Sequence, residues 1–217
     1  MKTNKDSYKK KEVSEATLRR FPFYHHYLKQ LESDGIKEIS SAQIAKFLGF
    51  NTIQVRKDIE ATKIEGKPKR GYNLKKLISA IEKFLGFYTK NEAVLVGAGH
   101  LGYALLGYRG FKEYGLDIIA VFDNNPDKIG KYIHHKKVLF IDKIESFIKK
   151  RNIQIGILTV PANVAQSLAD RMVKCGIKAI WTFAPTKIKV PKNVIVQHEN
   201  LASSLAVLSQ KMKIEKV

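Results

Sequence analysis

Apolar positions recur at helical spacing from residue 14 to residue 30, interrupted by Pro22. Proline lacks the N–H that a helix interior needs, so the pattern predicts a kink or a fresh helical start there. Ser33-Asp34-Gly35 ends the segment. Ser40-Ser41-Ala42-Gln43 then carries a capping signature, a Ser with Gln three residues on, and Ile44, Ala45 and Leu48 give the short helix behind it one apolar face. After the tight turn Gly49-Phe50-Asn51, a second short helix is expected over 52–62. Ile53, Val55 and Ile59 are read as packing inward, with Gln54, Arg56, Lys57 and Glu60 pointing elsewhere. Residues 66–72, Gly-Lys-Pro-Lys-Arg-Gly-Tyr, read as a glycine-bounded hairpin tip, and helical periodicity resumes over 74–87.

From residue 93 the pattern becomes strand, helix, strand. Ala93-Val94-Leu95-Val96 is a continuous apolar run of the kind found in buried parallel strands. A glycine-rich turn follows it, then a helical stretch to Tyr114 and a strand over 116–122 that ends on Asp123. Further strands are expected at 137–141, 153–160, 178–183 and 194–197, with helices at 144–150 and 162–174. The fold class expected is α/β: an N-terminal winged-helix (helix-turn-helix) domain over 1–90, then a Rossmann-type doubly wound parallel sheet over 91–200. A C-terminal helix over 201–217 has an apolar face wider than a monomer normally exposes.

Composition narrows the partners. The chain has 217 residues, 44% of them hydrophobic, and a formal net charge of +19, which makes a polyanion the first partner to consider. The excess is spread along the chain, with 20 basic and 10 acidic residues in 1–90 and 19 and 10 in 91–217. Residues 1–13 are lysine-rich and lack an apolar stripe, which fits a solvated tail and a DNA-contacting arm equally well. One cysteine, Cys175, excludes an internal disulfide and a cysteine-based zinc cluster. With a polar start and no long apolar run, a cytoplasmic protein with no membrane span is expected.

Two constellations carry chemistry. In a helix-turn-helix the second helix enters the major groove, so Thr52, Gln54, Arg56 and Lys57 are candidate DNA contacts, with Ser41 on the first helix. Lys67, Lys69 and Arg70 at the hairpin tip suit a wing on the phosphate backbone or in the minor groove. The second constellation is Gly97-Ala98-Gly99-His100-Leu101-Gly102, between strand and helix, with Asp123 21 residues beyond Gly102. Gly97 permits the tight turn, Gly99 lets backbone N–H groups approach a pyrophosphate, and Gly102 lets helix pack on strand. Asp123, placed at an exposed strand end, would accept from ribose hydroxyls and repel a 2′-phosphate, favouring NAD(H) over NADP(H), a mononucleotide or coenzyme A. Thr159 and Pro161, at the end of the fourth strand, are expected on the nicotinamide side.

No acid or base for a dehydrogenase stands out. Tyr-x-x-x-Lys spacings occur at Tyr72/Lys76, Tyr108/Lys112 and Tyr132/Lys136, none of them after the fourth strand, and chance accounts for them. His25, His26, His134 and His135 read as surface or packing residues, and His198 alone has a route to catalysis. A cofactor site with no room for a substrate domain, fused to a DNA reader, argues for a sensor rather than an enzyme. The runner-up is an NAD-dependent oxidoreductase or coenzyme A-binding protein with an accessory winged helix.

Several stretches together resemble the Rex redox-sensing repressors: residues 16–24 (Ala-Thr-Leu-Arg-Arg-Phe-Pro-Phe-Tyr), Val55-Arg56-Lys57-Asp58, residues 97–105, 123–130, Val160-Pro161-Ala162, Phe183-Ala184-Pro185 and residues 201–209. The resemblance implies binding of palindromic operator DNA by a homodimer whose C-terminal helix is exchanged. It also implies that NADH lowers DNA affinity while NAD+ competes, and it adds Asn124, Lys128 and Leu201 to the candidate cofactor contacts. The chain departs from the family pattern in three places. Its wing is 66–72 where the family commonly has Gly-x-Arg-Gly-Val-Gly-Tyr, and His100 stands for the usual Asn. Asn200 and Leu201 replace an Asp-Phe pair whose Asp, in some members, bonds the arginine that is Arg20 here.

Overall fold

The computed structural model describes residues 13–214, so the basic arm expected over 1–13 lies, save for Val13, outside the described residues. The chain divides into two compact units between Tyr88 and Thr89.

The first unit opens with α1 (Glu15–Ser33), capped by Ser14, whose side chain accepts the Thr17 N–H. Pro22 neither breaks nor restarts it. The carbonyl orphaned by the missing N–H belongs to Leu18, on the exposed side of the helix, while Phe21, Tyr24 and Leu28 pin the other side into the core. Next come β1 (Glu38–Ile39), α2 (Ser41–Leu48), α3 (Thr52–Glu60), β2 (Tyr72–Asn73) and α4 (Leu74–Leu85). The capping box of Ser40 and Gln43 forms, Gly49 closes α2 in the left-handed conformation, and Asn51 caps α3. β1 and β2 pair antiparallel and Lys67 bridges Gly71, so 66–72 is the tip of a wing.

One inward assignment on α3 is corrected. Val55 and Ile59 are fully buried, but Ile53 is 56% exposed. At about 100° per residue Ile53 lies roughly 200° round the helix from Val55, on the opposite side. The third inward position is taken by Asp58, 4% exposed. Arg20 clamps it, Nε donating to Oδ2 at 2.7 Å and Nη2 to Oδ1 at 2.8 Å. Tyr24 Oη donates to Oδ2 at 2.7 Å.

The second unit runs β3 (Asn91–Val96), α5 (His100–Gly107), α6 (Gly110–Glu113), β4 (Leu116–Asp123), β5 (Tyr132–Ile133), β6 (Lys136–Phe140), α7 (Ile144–Arg151), β7 (Ile155–Leu158), α8 (Ala162–Lys174), β8 (Ala179–Thr182), β9 (Ile195–His198) and α9 (Leu201–Ile214). The sheet order is β5-β6-β4-β3-β7-β8-β9, parallel throughout except for the β5-β6 hairpin. That hairpin turns on His134-His135, both at positive φ. The helix expected as far as Tyr114 instead breaks at Tyr108, between Gly107 and Gly110, two poor helix formers. Alternate residues of β3 feed two cores, Val94 and Val96 with α7 and α8, Ala93 and Leu95 with Leu105 and Phe111. No residue of α9 is buried, and Leu201, Leu205, Leu208 and Met212 are all more than half exposed.

Removing one partner of the Arg20–Asp58 pair strands a buried charge, so Asp58→Ala is expected to cost about 3–5 kcal/mol in urea unfolding followed by helical circular dichroism. Burial pushes the Asp58 carboxyl up, but the hydrogen bonds from Arg20 and Tyr24 outweigh it and hold it below the ordinary range. A folded value below the unfolded one means a stability contribution that is full at neutral pH. It is lost as pH falls from about 4 through the folded value. Asp58→Asn should flatten that part of the acid profile; identical profiles for the two proteins would contradict the assignment.

Candidate cofactor site and nucleic-acid face

Chain connections leave β3 toward β4 on one side and leave β7 toward β8 on the other, so the order reverses between β3 and β7. In an open sheet the ligand crevice lies at that reversal, outside the strand C-termini. The glycine turn occupies it. Gly97, at φ +106, donates its N–H to the Phe122 carbonyl at 2.8 Å. A Cβ on Gly97 would sit 2.4 Å from the Thr159 carbonyl, and one on Gly102 would sit 2.0 Å from the Gly97 carbonyl. A Cβ on Gly99 would meet no atom within 4 Å. Gly97 and Gly102 are therefore required by the protein's own packing, whereas Gly99 faces open space. Gly99 caps α5 with no side-chain acceptor, which leaves the first-turn N–H groups beyond the end of β3 for an anion.

Asp123 is buried, 8% exposed, rather than at an exposed strand end. Its Oδ2 accepts the Ala98 N–H at 2.7 Å, its Oδ1 accepts the Asn125 N–H at 2.8 Å, and Lys128 Nζ lies 3.5 Å away. The carboxylate thus ties the glycine turn to the end of β4, and the remaining lone pairs are what it can offer a ligand. Thr159 has a similar double use: its hydroxyl donates toward the carbonyls of Gly97 and Val96, at 2.8 and 3.1 Å. Signal for these structural bonds was absent from the residue pattern, which reports on strand ends but not on which backbone groups lack partners. His100 and Leu101 are exposed at the start of α5, and Asn124 is exposed just after β4. Ala98 is buried in the turn. Pro161 is the exposed cap residue of α8, and Leu201 is the exposed first residue of α9. His198 ends β9, three strands from β3.

On the first unit, Thr52, Gln54, Arg56 and Lys57 are exposed along α3, and Ser41 is half-buried at the start of α2. Arg56 has a loose exposed pairing with Glu60 at 3.8 Å, worth little in water. Lys67, Lys69 and Arg70 are exposed on the wing tip. Asn200, at the position of the family's coupling acid, uses Oδ1 to accept the Ala202 and Ser203 N–H groups at the start of α9. Among the described residues no helix is long and apolar enough to cross a membrane, and no cluster of three or more His, Cys, Asp or Glu could hold a metal ion.

Two family models match, "Putative DNA-binding protein N-terminus" over residues 12–59 and "CoA binding domain" over residues 89–186. The redox-sensing transcriptional repressor Rex of Treponema denticola is 50% identical over 96% of this chain and 99% of its own. The chain belongs to the Rex family. The Rex of Clostridioides difficile is 45% identical over 94% of this chain and 97% of its own. Among solved structures, RSP in complex with beta-NAD+ and operator DNA superposes with a TM-score of 0.89 at 37% identity, covering 94% of each chain. RSP in complex with beta-NADH gives 0.85 at 37% identity, covering 94% of this chain and 96% of that one. The family is one of transcriptional repressors, and the α/β architecture with its DNA-binding N-terminal unit is the family's.

The roles of Gly99 and Gly102 separate experimentally. Gly102→Ala forces a methyl into a backbone carbonyl and is expected to destabilise the fold by about 1–3 kcal/mol or more. Gly99→Ala should leave stability within roughly 0.5 kcal/mol, because its Cβ meets nothing. In an NADH fluorescence titration Gly99→Ala should nevertheless bind at least about tenfold more weakly, a loss of 1.4 kcal/mol. Normal NADH affinity in folded Gly99→Ala would remove the pyrophosphate from this turn.

Proposed function

We propose that the chain is a redox-sensing repressor that binds palindromic operator DNA as a homodimer and releases it when NADH binds, with NAD+ competing for the same site. The observation that carries the cofactor half is the glycine turn, closed by Gly97 and Gly102 and open at Gly99, anchored to a buried aspartate at the end of β4. On this reading the backbone from Gly97 to Gly102 holds the pyrophosphate, with Ala98, His100 and Leu101 beside it. Asp123, Asn124 and Lys128 take the adenosine ribose. Thr159, Pro161 and Leu201 of an exchanged helix border the nicotinamide. The reduced ring is uncharged and the oxidised ring cationic, so an apolar border of this kind favours NADH.

The DNA half rests on a recognition helix whose outer face is Thr52, Gln54, Arg56 and Lys57, with Ser41 beside it and Lys67, Lys69 and Arg70 on the backbone. Homodimerisation is supported by α9, whose large apolar residues all stay more than half exposed among the described residues. Domain bounds of 1–90, 91–200 and 201–217 follow, with the cytoplasm as the compartment and no catalysis assigned. Family membership supports the sensor over an oxidoreductase, and turnover of any substrate with NADH would reverse that preference.

Coupling between the two sites is reciprocal by linkage. With an operator selected from randomised duplexes, NADH is expected to weaken DNA binding, and operator DNA to weaken NADH binding by the same factor, roughly 5- to 150-fold. NAD+ should leave the DNA affinity in place. Equal NADH affinities with and without operator would rule out the sensor.

A further inference from the structure

Gln54 sits on the exposed face of α3, one helical turn before the buried Asp58. Its side chain is not free to choose an orientation. Arg20, 15% exposed in its side chain, places its guanidinium against the Gln54 amide. A guanidinium carries only N–H donors, so the amide oxygen must be the atom that faces it. In that orientation Gln54 Oε1 accepts from Arg20 Nη1 at 3.1 Å and from Nη2 at 3.2 Å. Arg20 is fixed in turn by Asp58 and by Thr17 Oγ1, which accepts from Nη2 at 3.1 Å. Nη2 has two N–H bonds for three acceptors, so its bond to Gln54 is shared while that from Nη1 is not. The Gln54 oxygen is held against the guanidinium, and the two N–H bonds of its NH2 group are what remains for the groove.

This matters because glutamine reads adenine by donating to N7 and accepting from the N6 amino group at once. An amide whose oxygen is turned into a guanidinium does not present that oxygen to the groove as an acceptor. Guanine offers two acceptors in the major groove, N7 and O6, and thymine offers O4, whereas cytosine offers an amino donor. We infer that Gln54, held by Arg20, reads an acceptor-only base edge, guanine first and thymine second, and discriminates against adenine and cytosine. Arg20 is the positioning residue for that readout. It makes no contact with the base and sets what Gln54 can say to one.

The inference rests on the repressor reading, and the experiment separates the two. Full-length protein is used to select from randomised duplexes, and single-base variants of the selected operator are then titrated with wild type, Gln54→Ala and Arg20→Lys. Gln54→Ala is expected to lose roughly ten- to hundredfold discrimination at one base pair per half-site and to keep it elsewhere. A G·C pair there supports the inference. For an A·T pair the adenine is replaced by purine lacking the 6-amino group: unchanged wild-type affinity means that thymine is read and supports it, and a Gln54-dependent loss means that adenine is read and overturns it. Arg20→Lys cannot hold Asp58 and the Gln54 oxygen together, so it should admit adenine at that pair while other positions keep their preferences; an unchanged preference in folded Arg20→Lys overturns the positioning role. Should Arg20→Lys fail to fold, the Gln54→Ala comparison still decides which base edge is read. No sequence-specific binding by the wild type overturns the repressor reading and this inference with it. Specific binding with no position altered by Gln54→Ala overturns this inference alone.

Discussion

A carboxylate that water barely reaches sets the geometry of the N-terminal unit. Burying Asp58 alone would cost several kcal/mol, and the cost is offset because Arg20 meets both oxygens and Tyr24 adds a third bond. Arg20 and Tyr24 stand four residues apart on α1, on either side of Pro22. They share a face only if the helix runs through the proline. The continuity of α1, the seating of α3 against it and the aim of the exposed face of α3 are thus one arrangement seen from three places. Tyr24 shows the same coupling from its own side, since burial and the neighbouring carboxylate push its phenol pKa up.

The second unit also depends on a buried aspartate, with a different chemistry. Asp123 is met by the backbone N–H groups of Ala98 and Asn125 rather than by an arginine among the described residues, and Lys128 stands at a longer 3.5 Å. The same side chain that suits a ribose is therefore part of the turn that would hold the pyrophosphate. Thr159 repeats the theme from the residue after β7, reaching across the strand reversal to the carbonyl of Gly97.

Much of this could be read from the residues. Apolar runs located β3, β4, β6, β7, β8 and β9 within a few residues, because strands buried in a parallel sheet carry a strong compositional signal. The glycine spacing placed the turn, since each glycine answers a separate steric demand that the structure then displays. What escaped the pattern was of two kinds. Ile53 was assigned inward because isoleucine is apolar, yet the third inward position belongs to Asp58, and periodicity cannot foresee a buried charge whose partner lies 38 residues earlier. The β5-β6 hairpin was missed because His134 and His135 are not the residues that usually adopt positive φ at such a turn. Pro22 starts no new helix for the converse reason: local propensity was overridden by the packing of Phe21, Tyr24 and Leu28.

The glycine turn is held by protein groups: Asp123, Thr159 and the Phe122 carbonyl. To that extent its ordering belongs to folding rather than to binding. On the proposed reading, the adenosine and pyrophosphate half that both oxidation states share meets a finished surface and contributes equally to each. Any difference in affinity must then arise at the ring. When the dinucleotide pool is large enough to fill the site in either form, its absolute size drops out, and what the protein reports is a quotient of reduced to oxidised. A ready-made turn is in this sense what makes the measurement ratiometric.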